Sequence, residues 1–154
     1  MSDAYENLKR LGLELPPLTE QKRLFDNVRQ IGNVLYVSGQ GPLIKDEVKY
    51  TGKLGADVSM EAGQEAARLV ALNVLSSLHD YLGDLNKVKN MVKLLVFVSS
   101  VSGFHRQPEV ANAASQLFLD VFGKAGAHAR SAIGVYELPS NIPVEIEAVV
   151  EIFP

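Results

Sequence analysis

His128 to Pro154 reads HARSAIGVYELPSNIPVEIEAVVEIFP, and the fold turns on this stretch. Ser131 to Glu137 is a short apolar run with β-branched members. Leu138 to Pro143 carries two prolines, a serine and an asparagine, the residues of a turn. Val144 to Phe153 then runs VEIEAVVEIF, and its first half alternates apolar and acidic residues as a half-buried strand does. Two strands joined by a short turn predict an antiparallel hairpin. With the turn centred near Ser140-Asn141, Tyr136 would face Glu145 and Arg130 would face Glu151. Arg130 opens the hairpin. A guanidinium at the mouth of an apolar β-element can grip a carboxylate with two parallel N–H donors.

Working outward, Val88 to Ser99 holds a centre, LLVFV, that is apolar on both faces, which places it inside a sheet. Before it, Ser59 to Leu82 repeats apolar residues at helical spacing. Ser59 is the expected N-cap, Glu61 suits the first turn, and Gly83 is the stop. Pro108 fits the first turn of another helix that ends at Gly123. Val34 to Val37 reads as a strand interrupted at Ser38 to Pro42, where glycines let backbone approach a ligand closely. Leu43 to Tyr50 reads as its partner strand. Tyr5 to Gly12 fits a short helix, and Phe25 to Gln30 is ambiguous. The order strand–strand–helix–strand–helix–strand–strand predicts an α+β fold with two helices on one face of a single sheet. The bare face then calls for a second copy of the chain.

The 154 residues suit one domain spanning 1–154, with no internal repeat and no linker. Hydrophobic residues make up 47% and charged residues 21%, with a net charge of −3 and no basic block, so nucleic acid is not the expected partner. No apolar run approaches the ~20 residues of a membrane span, and the first residues lack a signal-peptide core, so the expectation is a cytoplasmic protein. Cysteine is absent, which removes thiol nucleophiles and thiolate metal sites. His79, His105 and His128 have no metal-ligand spacing, so no metal and no cofactor is expected. Ser38 and Ser131 lack a plausible histidine base.

Asn33-Val34-Leu35-Tyr36-Val37-Ser38-Gly39-Gln40, Ala129-Arg130-Ser131, Leu138-Pro139 and Val144-Glu145-Ile146-Glu147-Ala148, in this order and spacing, resemble the RidA/YjgF family of reactive-intermediate deaminases. The resemblance runs from Phe25 to Glu151. It implies a chorismate-mutase-like single mixed sheet and a homotrimer in which three sheets form a central barrel. It also implies a cleft at each subunit interface, and hydrolysis of small 2-imino and 2-enamino acids to 2-oxo acids and ammonia. By the same resemblance Arg130 grips the substrate carboxylate and Glu145 positions the attacking water. Gly39 offers backbone to the ligand, and Asn112 lines the cleft. Phe25 stands where the family commonly has a tyrosine, and Ala132 where it often has a cysteine. The chain resembles a longer branch, with its own loop at Ser102 to Pro108.

The chemistry fits those residue types. Hydrolysis of an imine requires a fixed carboxylate and a water held against the C=N carbon. An arginine supplies the first need and a carboxylate the second, the latter typically worth ~10²–10⁴-fold in rate. In the predicted hairpin, Arg130 and Glu145 lie about six residues, or roughly 20 Å, apart, too far to share a small acid. The expected site therefore takes Arg130 from one subunit and Glu145 from its neighbour. The rival expectation is a non-catalytic trimer that senses 2-oxo acids. A plainer reading makes Arg130 an ion-pair partner of Glu151.

Overall fold

The computed structural model describes residues 3–154. Five strands form one sheet in the order β1-β2-β7-β5-β6: β1 (Val28–Ile31), β2 (Val34–Gln40), β5 (Val88–Ser99), β6 (Ala129–Val135) and β7 (Val144–Ile152). β5 and β6 run parallel while the other pairs are antiparallel, so the sheet is mixed. Helices α1 (Ala4–Arg10), α2 (Met60–Leu82) and α3 (Gln107–Phe122) complete the α+β architecture.

α2 starts and stops where its residues dictate. Ser59 Oγ accepts from the Ala62 N–H at 3.1 Å, and Gly83 takes φ 76°, a left-handed cap that a side chain would strain. Its stripe of Ala66, Val70, Val74 and Leu78 is fully buried. α3 adds Val110, Ala114, Leu117 and Phe118, also fully buried. Both stripes share one apolar cluster with Leu94, Val96 and Val98 of β5 and Val144, Ile146 and Val150 of β7. β7 sits in the middle of the sheet, between β2 and β5, and every second residue of it faces this core.

The C-terminal hairpin does not form. β5 lies between β6 and β7, so those two strands never pair. β5 is apolar on both faces and gains a neighbour on each edge. The α3 crossover delivers β6 parallel to it, as strand–helix–strand connections do. The connection after β6 holds one 3₁₀ turn, Pro139–Asn141, and steps across the end of β5. The first hairpin also differs from expectation. The partner of β2 is β1, the ambiguous segment, and Leu43 to Tyr50 instead supplies a separate two-stranded ribbon, β3 (Leu43–Ile44) with β4 (Glu47–Val48).

No described helix is long and apolar enough to cross a membrane. The sheet face away from the helices carries Tyr36 and Ile133, 49% and 43% exposed in the single chain, together with Phe97 and Val149.

Candidate active site

Glu145 is the second residue of β7 and points to the helix-free face, since Val144 and Ile146 on either side are buried in the core. It lines a cavity of about 170 Å³ with Gly39, Gly41, Asn73 and Arg23. A bulge shapes this end of the sheet. Val37 pairs with Ala148 and Gln40 with Ile146, so β2 holds one residue more than β7 between the two pairs. The bulge brings Gly39 beneath the Glu145 carboxylate. An added Cβ at Gly39 would stand 2.8 Å from Glu145 Oε2, which is why glycine is needed. Burial pushes the Glu145 carboxyl above the usual carboxylate range, and the negative charge of Glu147 adds to the effect.

One buried amide and one serine fix the cavity's frame. Asn73 Nδ2 donates to the carbonyls of Gly41 (3.0 Å) and Leu43 (2.7 Å), tying α2 to the turn after β2. Ser38 Oγ donates to the Asp26 carbonyl at 2.7 Å, and the Ser38 N–H donates to Asn27 O at 2.8 Å. The loop before β1 is thereby clamped over the bulge.

Arg130 is the second residue of β6, half-buried, and leans on α3. Its Nη1 donates to Asn112 Oδ1 (2.9 Å) and Ser115 Oγ (3.1 Å). Those bonds use one edge of the guanidinium and leave the other for a carboxylate. Ser115 Oγ in turn lies 2.8 Å from His128 Nε2, and His128 Nδ1 lies 2.7 Å from the Gly126 carbonyl. A carbonyl only accepts, so Nδ1 carries the ring proton and Nε2 accepts from the Ser115 hydroxyl. Burial lowers the His128 pKa, and the nearby Arg130 charge lowers it further against the raising effect of the Gly126 bond.

Asn112 is thus bonded to Arg130, and Ala132 lies two residues on, partly buried against the core. Phe25 does not line the cavity. It is 57% exposed, and the Arg23 guanidinium lies 5.5 Å from its ring centroid. The ion pair between Arg130 and Glu151 is absent, because Glu151 bonds Lys89 and Asn90. The His128–Ser115 pair escaped the sequence reading, since the two residues belong to different elements. Asn73 gave a usable signal, a lone amide on an otherwise apolar helix stripe that needed buried carbonyls to bond.

The register fixes how Arg130 and Glu145 relate. Arg130 is level with Leu94 of β5, and Glu145 with Phe97. They lie three residues apart along the sheet and two strands apart across it, about 14 Å in a flat sheet rather than the roughly 20 Å of a hairpin. The offset is odd, so the two side chains leave opposite faces. Within one chain they do not converge.

A family profile described as "YjgF/chorismate_mutase-like, putative endoribonuclease" matches residues 6–152. Protein TCP17 of Trypanosoma cruzi is 46% identical over 149 residues, covering 95% of this chain and 92% of the relative. A protein of Dermatophagoides farinae named 2-iminobutanoate/2-iminopropanoate deaminase is 31% identical, covering 80% of this chain and 81% of its own. The crystal structure of Atu1372, a protein of unknown function from Agrobacterium tumefaciens, superposes with a TM-score of 0.91 at 42% identity, covering 97% of this chain and 92% of that one. With a matching profile over nearly its full length and a sheet, helices and bulge to suit, the chain belongs to the RidA/YjgF family.

Proposed function

We propose that the protein hydrolyses small 2-imino and 2-enamino acids to 2-oxo acids and ammonia, in clefts between the subunits of a homotrimer. The observation that carries this is Glu145: a half-buried carboxyl with a raised pKa, held over Gly39 in a small cavity. Such a group takes up a proton more readily than an exposed glutamate does. The opposite-face placement of Arg130 supports a shared site, because only a second copy can bring the Arg130 guanidinium to this carboxylate.

In this reading Arg130 of one subunit grips the substrate carboxylate with its free edge, while Asn112 and Ser115 hold the other. Water adds its oxygen to the C=N carbon, and its proton passes to Glu145. The carbinolamine that forms then takes that proton on nitrogen. The hydroxyl proton then passes to the nitrogen by way of Glu145 as the C–N bond breaks, so that ammonia leaves and the 2-oxo group forms. An enamine first tautomerises to the imine.

The test is a coupled assay in which an amino-acid oxidase generates 2-iminopropanoate while the fall of imine is followed by trapping. Faster pyruvate release with the protein than without it supports the reading, and an unchanged rate ends it. A second reading is a trimer that binds 2-oxo acids without turnover, the chain having phenylalanine at position 25 where the family commonly has a tyrosine. Binding of a 2-oxo acid without faster pyruvate release would select it.

A further inference from the structure

The cavity that holds Glu145 is also lined by two cations, Arg23 and Lys45. They come from separate segments that the structure stitches together. The Lys45 N–H donates to the Pro17 carbonyl at 3.0 Å, and Thr19 Oγ1 donates to Asp46 Oδ1. The loop from Pro17 through Asn27 is thus held to the β3–β4 turn at one end and to the bulge at Ser38 at the other.

Neither cation is consumed by a buried carboxylate. Arg23 makes one hydrogen bond, to the neutral Asn27 Oδ1 at 3.2 Å, and has no carboxylate partner among the described residues. The guanidinium lies over the Phe25 ring, 5.5 Å from its centroid, a contact that does not neutralise it. Lys45 reaches Glu20 at 3.9 Å, but Glu20 is 87% exposed, and such a pair contributes at most about 1 kcal/mol. Neither cation forms a salt bridge with Glu145, whose carboxyl is pushed up rather than down. Lys45 also holds φ 57°, a left-handed conformation that glycine or asparagine adopts more easily.

The cavity therefore has an acid–base group at one wall and unspent positive charge at another. At about 170 Å³ it is below the roughly 300–1,000 Å³ of pockets for drug-sized ligands, so its occupant is a short metabolite. We propose that the occupant is a small dicarboxylic acid, a 2-imino or 2-oxo acid whose side chain ends in a second carboxylate, received by Arg23 and Lys45. This rests on the reading of the cavity as the acid-binding cleft. There the partner's copy of the Arg130 guanidinium takes the first carboxylate, and the stacked fork of Arg23 is shaped for the second.

The test compares two probes of equal length by titration calorimetry: 2-oxoglutarate, with the second carboxylate, and 2-oxopentanoate, without it. The wild-type protein is expected to bind the diacid about tenfold more tightly, since each exposed pair contributes on the order of a few-fold. The preference should shrink as salt rises, because these cations face solvent. In Arg23→Ala/Lys45→Ala the preference should vanish, with elution volume and circular dichroism as in the wild type. Equal binding of the two probes, binding of neither, or a preference that survives in the double variant overturns the inference. The hydrolase reading is separable. Imines hydrolysed with no bias toward the diacid would remove this inference and leave the activity. A diacid bound preferentially but no imine hydrolysed would remove the activity and leave the ligand class.

Discussion

Gly39 and Glu145 meet where β2 bulges against β7, with space between them for a hydrogen and not for a methyl group: a Cβ at Gly39 would stand 2.8 Å from Oε2 and 2.9 Å from Cδ. The atoms met are the far end of a flexible side chain. Gly39→Ala should therefore fold normally and displace the carboxylate. Displacing a catalytic group by about 1 Å can cost about 10²-fold. A fall in kcat of ten- to a hundredfold, with thermal melting little changed, is the expected result of steady-state kinetics beside a melting curve.

Glu145→Gln removes the proton acceptor while keeping the shape. Imine hydrolysis should drop by about 10²–10⁴-fold. In the wild type the rate should rise with pH through an apparent pKa above 4.5, the ordinary glutamate value, because burial favours the protonated carboxyl. Stability moves the other way. As pH falls, the folded chain takes up this proton before the unfolded chain does, so the charged form costs stability above that window. The glutamine variant should melt higher than wild type at pH 7, and the gap should close as the pH falls below about 4.5. Melting curves across pH check both signs.

Because Arg130 and Glu145 leave opposite sheet faces, inactive Arg130→Ala and Glu145→Ala chains should complement one another. Mixed under subunit exchange, the proposed trimers would then contain intact sites at some interfaces. A partial return of activity, measured after gel filtration, is expected, and none at all would count against a site shared between chains.

Ser115 is the link between His128 and Arg130. Ser115→Ala leaves Arg130 one acceptor short. A hydrogen bond to a charged group contributes about 1.5–3 kcal/mol, so KM should rise roughly tenfold or more with kcat less affected. The His128 pKa lies below its ordinary 6.5, chiefly through burial. Below pH 6.5 the unfolded chain takes up the proton first, so the penalty grows as pH falls and is complete below the folded pKa. His128→Gln, which cannot be charged, should lose less stability than wild type between pH 7 and pH 5 in denaturant titrations.

Gly126 presses on α3: a Cβ there would lie 2.1 Å from the Phe118 carbonyl oxygen, a backbone atom that cannot swing aside. Gly126→Ala should destabilise by at least about 1–3 kcal/mol, the scale of overpacking. It should also raise KM, since the Gly126 carbonyl orients His128. Urea midpoints and kinetics on the same preparation test the pairing of the two effects.

The helices and β5 were legible because their signals are local. Ser59, Gly83, Pro108 and Gly123 mark ends that depend on neighbouring backbone alone. The C-terminal pairing was not legible. Ser131 to Phe153 has the pattern of a hairpin, yet each of its strands pairs with β5, 36 to 64 residues earlier in the chain. Alternation tells which face of a strand is buried and is silent on which strand lies beside it. β1 was ambiguous for a related reason: three of its four residues are exposed in the single chain, so little apolar pattern is written into it. Of the candidate site, Arg130, Asn112, Glu145 and Gly39 are proposed from residue type and resemblance. Arg23, Lys45 and Ser115 could not be found that way, because loop stitching and a crossover bring them into place.

The pairing of Val37 with Ala148 joins chain positions about 110 residues apart, and β7 completes the middle of the sheet. Closing so long a loop is entropically costly, and such distant pairing makes for slow folding. α2 and α3 can gather early on local contacts, but the bulge and the glutamate above it come into being only when the first and last parts of the sheet zip together. During refolding, the return of ligand binding should consequently lag behind helical circular dichroism. Catalytic competence would then act as the clock of the molecule's slowest step.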